Sequence, residues 1–247
     1  MAISTNPLAW LRSVQPRRAI ALLLLLLPLT VGAQTVRDLW LSMPPSFAPY
    51  LSTSLRTQCL DFYDMHTDAQ TDNALKGKSR IDTLTSTFLA ATLSKAHTLQ
   101  MKLLPASGSG LGSASASVSG SGSSMVSASG SSSSLSSCDS VLCVVRSWDG
   151  PKRDSEVQLF DRQWKPLQAP LTFSADSFVC RPDTMSEERF SRLVAMLDPI
   201  MFSVSLSPAE NVLLVKLSPV VPNPEDEKAI EQILVQRKLK WDGKTFK

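Results

Sequence analysis

The sequence predicts an α+β fold: a largely antiparallel sheet and about three helices in a single compact domain that carries a disordered Ser/Gly-rich loop insertion. Two observations carry this prediction. Apolar and polar residues alternate in several short runs separated by turn signals, which is typical of half-buried antiparallel strands. Helical patterns interrupt these runs, but they do not alternate with them regularly as they would in a parallel sheet.

The strand predictions come from period-two alternation and from β-branched runs. Within residues 97–104 apolar and polar residues alternate, and residues 141–148 begin with an apolar, β-branched run. The Asp-Gly-Pro sequence at 149–151 is a strong turn signal, so a further strand is expected after it. Other strands are predicted at residues 80–84, 88–93, 157–159, 202–206, 212–217 and 235–241.

Three helices are predicted, each from apolar residues at helical spacing and from a start signal. The first covers residues 46–63. The second follows a capping box formed by Thr184 and Glu187. The third has Asn223 as its N-cap and Pro224 at its first helical position.

Residues 106–137 form a low-complexity segment dominated by Ser and Gly. Such a segment buries too little apolar surface to offset the entropy of ordering it, so we expect a flexible coil. Strand patterns on both sides favour a long loop at a hairpin tip over a linker between two domains. The preceding piece, residues 34–105, is also small for an independent core.

The first 33 residues indicate a cleaved secretory signal peptide. Three arginines and no acid precede the apolar run 19–27, which ends at Pro28 and is too short to span a membrane. Val31 and Ala33 suit the positions before a signal-peptidase site, so the mature protein is predicted to begin at Gln34. We therefore expect a periplasmic or secreted protein, with no transmembrane span after cleavage.

The charge of the mature chain argues against nucleic acid as a partner. Cleavage would remove three of the 25 basic residues and none of the 22 acidic ones, leaving 22 of each. A neutral chain without a basic patch has no general attraction for phosphate backbones or anionic membranes. The expected partner is an unidentified envelope protein or ligand.

Four cysteines permit disulfides in an oxidising compartment and leave three pairings open: Cys59, Cys138, Cys143 and Cys180. In an extended chain Cys138 and Cys143 would lie about 16 Å apart, which is beyond the reach of a bridge. Cys59, Cys143 and Cys180 lie in apolar patterns, which favour buried, inert thiols. The spacing matches no zinc motif.

Acidic residues gather within residues 61–72, after the first predicted helix. Asp64, His66 and Asp68 are the weak candidates for a metal site. A calcium loop that starts at Asp64 would need Gly at its sixth position and a bidentate acid at its twelfth, where this chain has Ala69 and Leu75. A charged helix end is therefore the preferred interpretation.

No cofactor and no catalytic residue are expected from the motifs. Residues 77–79 and 243–245 imitate the end of a phosphate-binding loop, but each lacks the glycine that the motif needs five positions earlier. The chain has two histidines and no Gly-x-Ser-x-Gly sequence, so candidates for nucleophilic catalysis are few.

Several stretches are similar to an uncharacterised family of exported Bacteroidales proteins, known as a domain of unknown function: residues 37–40, 43–44, 60–64, 77–84, 93–95, 99–104, 163–167, 181–190 and 235–246. The resemblance implies a signal peptide and one compact domain, and it brings no activity or catalytic residue. It also implies a short turn where this chain has the Ser/Gly segment, which supports a loop insertion.

The function that these observations favour is a non-enzymatic periplasmic module that binds a partner or supports the envelope. The alternative is a hydrolase or cation-dependent enzyme with a carboxylate site, for which Asp61, Asp64, His66 and Asp68 are the candidates.

Overall fold

A six-stranded antiparallel sheet forms the centre of the computed structural model, which describes residues 34–106 and 140–247. Its strands are neighbours in chain order: β1 (Thr71–Asp72), β2 (Lys78–Leu84), β3 (Phe88–Ser94), β4 (His97–Pro105), β5 (Ser140–Asp149) and β6 (Arg153–Phe160). This meander confirms the α+β prediction, to which it adds the two-residue strand β1.

The Ser/Gly segment connects two strands that pair directly with each other. Leu99 lies opposite Arg146 and Pro105 lies opposite Ser140, so β4 and β5 are neighbours along their whole length. The connection between them therefore starts and ends at adjacent positions of one sheet, as expected for an insertion at a hairpin tip. The predicted flexible coil itself lies mostly outside the described residues, as does the predicted signal peptide.

One face of the central sheet is covered by an N-terminal layer. This layer consists of α1 (Val36–Ser42), α2 (Thr53–Asp64) and the turns between them. Trp40 is fully buried there, and its indole Nε1 donates a hydrogen bond to the carbonyl of Arg56. The largest buried side chains of this core are Leu39, Trp40, Met43, Leu51, Leu60, Leu89, Leu93, Leu99, Met101 and Phe160.

The opposite face carries a C-terminal layer. It contains α3 (Glu187–Ala195), α4 (Pro224–Glu231) and a second sheet of β7 (Phe202–Leu206), β8 (Val212–Leu217) and β9 (Arg237–Lys240). A second core joins the two sheets and includes Val145, Val157, Leu159, Leu193, Val204, Leu206, Val215, Ile230 and Ile233. Strand β5, near the middle of the central sheet, is thus buried on both faces, whereas one side of β2 stays exposed.

Polar side chains of the central sheet close the outer edge of β7. Alternate backbone N–H groups of this strand point away from β8 and find acceptors across the layer boundary. The three bonds run from Phe202 to Asp154 Oδ1 at 3.3 Å, from Val204 to Ser155 Oγ at 3.1 Å and from Leu206 to Gln100 Oε1 at 2.8 Å.

Lys102 fastens the same two layers. It is 2% exposed, and its ammonium group donates to three backbone carbonyls of the β7–β8 turn. The distances from Nζ are 2.6 Å to Ser207, 3.1 Å to Pro208 and 2.7 Å to Glu210. Burial lowers the pKa of Lys102.

His97 lies buried at the start of β4, at the margin of the N-terminal core. Its Nδ1 shares a hydrogen bond with the hydroxyl of Tyr50, and its ring stacks on Trp148 at 5.4 Å. Within the described residues its Nε2 has no hydrogen-bond partner. Burial, with a smaller contribution from Arg146, lowers the pKa of His97, so the fold favours the neutral ring.

The helix predictions need three corrections. The structure has four α-helices among the described residues, because α1 was not predicted. The predicted helix 46–63 begins only at Thr53, after Ser52 as N-cap, because residues 44–51 form turns. The N-cap of α3 is Ser186, whose hydroxyl accepts from Arg189 N, and not Thr184. Asn223 is the N-cap of α4, as predicted.

Three of the four cysteines lie in the described residues, and none of the three forms a disulfide there. Cys59 and Cys143 are buried, as predicted, and burial raises the pKa of both thiols. The prediction for Cys180 was wrong, because the short connection that contains it leaves this side chain exposed.

Within the two described ranges, residues 34–106 and 140–247, no helix has the length and apolar character that crossing a membrane requires.

Candidate functional site

A polar cleft of about 430 Å³ lies between the C-terminal end of α2 and strand β2. It is lined by Cys59, Phe62 and Tyr63 of α2, by residues 66–69 of the following loop and by residues 80–82 of β2. Helix α2 packs against β2, so the helix end and the strand form the two walls of the cavity. We call this cavity the α2–β2 cleft.

His66 reaches the cleft from a strained backbone position. Helix α2 ends in a double hydrogen-bonded turn: His66 N donates to Tyr63 O at 3.0 Å, and Thr67 N donates to Phe62 O at 3.2 Å. This termination places His66 in the left-handed region, with φ 52°. Glycine adopts this conformation freely, whereas a residue with a β-carbon pays about 1–2 kcal/mol.

Arg80 is held in place by its neighbours on the sheet. Its Nε donates to Asp82 Oδ1 at 2.7 Å, and the hydroxyl of Thr92 donates to Asp82 Oδ2 at 2.8 Å. The register between β2 and β3 shifts at Asp82, which has no residue opposite it, as in a β-bulge. Bulges redirect side chains and are frequent beside functional sites.

The polar groups of Cys59 and Tyr63, at the floor of the cleft, already form hydrogen bonds within the protein. The thiol of buried Cys59 donates to Thr71 Oγ1 at 3.3 Å, and burial raises its pKa, which makes it a poor nucleophile. The hydroxyl of Tyr63 accepts from Leu84 N at 3.1 Å and donates to Leu84 O at 3.4 Å. The groups free to meet a ligand are therefore those of the loop and of the outer side of β2.

The structure brings together only part of the predicted acidic cluster. His66 and Asp68 line the cleft, but Asp61 and Asp64 do not. Asp64 instead forms an ion pair with Arg37 of α1, with Arg37 Nη1 2.9 Å from Asp64 Oδ1 and a second bond from Nη2 to Oδ2. This pairing lowers the pKa of Asp64. Asp72 likewise pairs with Lys78 at 2.6 Å.

No set of three or more His, Cys, Asp and Glu side chains within the described ranges is arranged to hold a metal ion. Asp61 and Asp64 are three residues apart and share one side of α2, where Arg37 holds Asp64, whereas His66 and Asp68 lie on the loop that lines the cleft. Nothing in the geometry joins them into one coordination sphere.

Sequence reasoning missed Arg80 and Asp82. The strand 80–84 was predicted, and alternation places both side chains on its exposed side. Their position beside His66 depends on how α2 packs against β2, which no local pattern shows. The one local signal was the i, i+2 spacing of opposite charges on a strand.

A second concavity of about 310 Å³ lies beside α4 and the end of β8. Its interior is apolar and includes Leu217, Ile230 and Leu234, and an ion pair of 2.5 Å between Lys152 and Glu227 bridges its rim. The polar side chains of Lys216, Glu231 and Gln236 also line this groove.

The fold is similar to that of a solved domain of an uncharacterized protein from Porphyromonas gingivalis W83. The two share 22% sequence identity with a TM-score of 0.59, over 86% of this chain and 98% of that one. At this identity the similarity shows the fold alone. No curated protein matches the chain.

The family described as "Protein of unknown function (DUF3256)" matches residues 28–111 and 132–246. The interruption falls inside the Ser/Gly segment, and the matched residues are most of the chain. The predicted resemblance to a family of unknown function is confirmed at this level, whereas export and restriction to Bacteroidales remain predictions. The chain belongs to the DUF3256 family.

Proposed function

We propose that this protein is an exported, periplasmic binding module without catalytic activity, and that its ligand occupies the α2–β2 cleft. The position of His66 carries the proposal. A histidine replaces the glycine that a left-handed helix terminus favours, and its side chain lines the cleft. Residues in strained conformations cluster at ligand sites, where their side chains repay the cost.

Arg80 supports the same conclusion. Its guanidinium is fixed by Asp82, which Thr92 fixes in turn, before any ligand arrives. Groups that are ordered in advance lose less entropy on binding, so more of the interaction energy appears as affinity. The lining of the cleft thus includes an arginine that is ordered in advance, from β2, and His66, from the loop after α2.

The competing function is a carboxylate enzyme, and its support is that His66 and Asp68 share the cleft. The other two candidates, Asp61 and Asp64, lie outside the cleft, and Asp64 is held by Arg37. A binding module returns its ligand chemically unchanged, so recovery of the ligand after prolonged incubation separates the two functions.

The experiment is a ligand-observed NMR screen of small polar fragments against the wild type and His66→Gly. The matched control is Lys76→Gly, because Lys76 also has a left-handed backbone, with φ 60°, but does not line the cleft. Both variants relieve backbone strain, so both should melt at a temperature at least as high as the wild type. Only His66→Gly should lose fragment binding.

Two results would contradict the proposal. Equal fragment binding by the wild type and His66→Gly would remove the cleft from consideration. Conversion of a bound fragment into a product, lost in Asp68→Asn, would establish the enzyme instead.

A further inference from the structure

We infer that the α2–β2 cleft takes a small zwitterionic carboxylate, the chemistry of a free amino acid, with its carboxylate on Arg80 and its cationic group at Asp68. This inference rests on the proposed function, because it names the ligand class of the same site. It follows from the unused hydrogen-bond donors of Arg80 and from the balance of charge around them.

Arg80 offers a fork that matches a carboxylate. Its Nε is taken by Asp82 at 2.7 Å, and within the described residues neither terminal nitrogen of the guanidinium has a hydrogen-bond partner. Two parallel N–H groups of a guanidinium bind the two oxygens of one carboxylate in a planar, bidentate arrangement. Asp82 does not compete with a ligand for these terminal nitrogens, because its second oxygen accepts a hydrogen bond from the hydroxyl of Thr92.

The charge of the cleft disfavours a ligand that is purely anionic. The charges of Arg80 and Asp82 cancel, and Asp68 adds a carboxylate that is exposed and has no ion-pair partner among the described residues. A phosphate or a bare carboxylate bound at Arg80 would share the cleft with this additional negative charge. A ligand that carries its own cationic group converts the repulsion into an ion pair.

The size of the cleft agrees with a ligand of this kind. A volume of about 430 Å³ lies at the lower end of the range for small-molecule sites. Phe62 and Ile81 also line the cleft and contribute apolar surface for the side chain of an amino acid. Thr67 and His66 at the rim add hydrogen-bonding groups.

The test measures binding of glycine, L-alanine and L-leucine by saturation-transfer NMR and titration calorimetry. Acetate, n-butylamine and inorganic phosphate are the single-charge probes. At least one amino acid should bind ten times more tightly than acetate or butylamine. Arg80→Lys keeps the charge but loses the fork, and Asp68→Asn loses the charge, so each should weaken amino-acid binding at least tenfold.

Two variants serve as matched controls because their residues do not line the cleft. Asp61→Asn removes the same charge as Asp68→Asn, and Arg37→Lys makes the same exchange as Arg80→Lys. Both should bind amino acids as the wild type does. Thermal melting of all four variants within a few degrees of the wild type shows that the fold is intact.

The outcomes distinguish this inference from the proposed function. Failure of all three amino acids to bind, or tighter binding of phosphate, overturns the ligand class. If fragments still bind in a manner that depends on His66, the binding function stands without it. If no fragment binds either, both proposals fail. Equal losses in Asp61→Asn and Asp68→Asn would also overturn the inference, because they would show a long-range effect of charge.

Discussion

Replacement of Lys102 by methionine tests the joint between the two sheets. Methionine keeps an unbranched apolar chain in the buried channel but removes the ammonium group. The three carbonyls of Ser207, Pro208 and Glu210 then lose the donor that holds them at 2.6–3.1 Å. The substitution thus separates the polar contact from the packing of the aliphatic stem.

The expected loss in the free energy of unfolding is about 3 kcal/mol. A hydrogen bond to a charged group contributes about 1.5–3 kcal/mol, and three of them share one ammonium group. The substitution recovers part of the desolvation cost of a buried charge, which is several kcal/mol. Water that reaches the turn can hydrogen-bond to some of the freed carbonyls, which reduces the loss in the free energy of unfolding. For a domain of this size, the melting temperature should fall by about 6–12 °C.

The assay is urea unfolding followed by tryptophan fluorescence, with Lys95→Met as the control. Lys95 is exposed in the β3–β4 turn and forms no ion pair within the described residues. Its replacement should change the free energy of unfolding by less than about 0.5 kcal/mol. A Lys102→Met variant that is as stable as Lys95→Met would show that the hydrogen bonds of Lys102 do not stabilise the contact between the two sheets.

Three further predictions concern other parts of the chain. Because burial lowers the pKa of His97 below its ordinary 6.5, stability should be full above that pH and fall as the pH drops through the folded pKa. His97→Gln should flatten this dependence in urea unfolding at pH 7.5 and 5.5, and a variant with the wild-type pH dependence would contradict this assignment. Replacing residues 106–137 with Asn-Gly should preserve the far-UV circular dichroism spectrum and raise the free energy of unfolding by about 1–2 kcal/mol, because β4 and β5 pair up to Pro105 and Ser140. Cleavage of the native protein in this segment that releases two separately folded fragments would contradict this prediction. N-terminal sequencing of the protein from a soluble envelope fraction should begin at or near Gln34, and a cytoplasmic protein that retains Met1 would contradict export.

Strand positions were predictable because buried strand positions carry apolar residues, in alternation with polar ones or in short continuous runs. The ranges 202–206 and 212–217 match β7 and β8, and the others agree to within a few residues. Strand β5 is buried on both faces, so its sequence shows a continuous apolar run rather than alternation. Register followed from the turn at 149–151, which pairs Asp149 with Arg153.

The missed helix and the helix predicted too long have different physical causes. Helix α1 has seven residues, too few for periodicity to appear, although Thr35 and Asp38 form a complete capping box at its start. Phe47 continued the apolar spacing of α2 backwards, but it packs against Phe160 and Trp164 from a turn. Apolar spacing reports burial and does not distinguish a helix from a turn that buries the same side chains.

The candidate site was half predictable for a similar reason. His66 and Asp68 follow one another on a loop, so the sequence placed them together. Arg80 and Asp82 join them through the packing of α2 on β2, and the register shift at Asp82 depends on its partner strand. The left-handed backbone of His66 has no sequence signal, because the residue type that would announce it is glycine.

The closed edge of β7 has a consequence for how the protein behaves in a crowded compartment. An open edge strand offers a row of donors and acceptors on which the strand of another molecule can grow, and such growth leads to aggregation. Here Gln100, Asp154 and Ser155 already occupy the outward N–H groups of that strand. A second copy of the chain would have to displace three bonds before it could add a strand there, so this edge is protected against polymerisation.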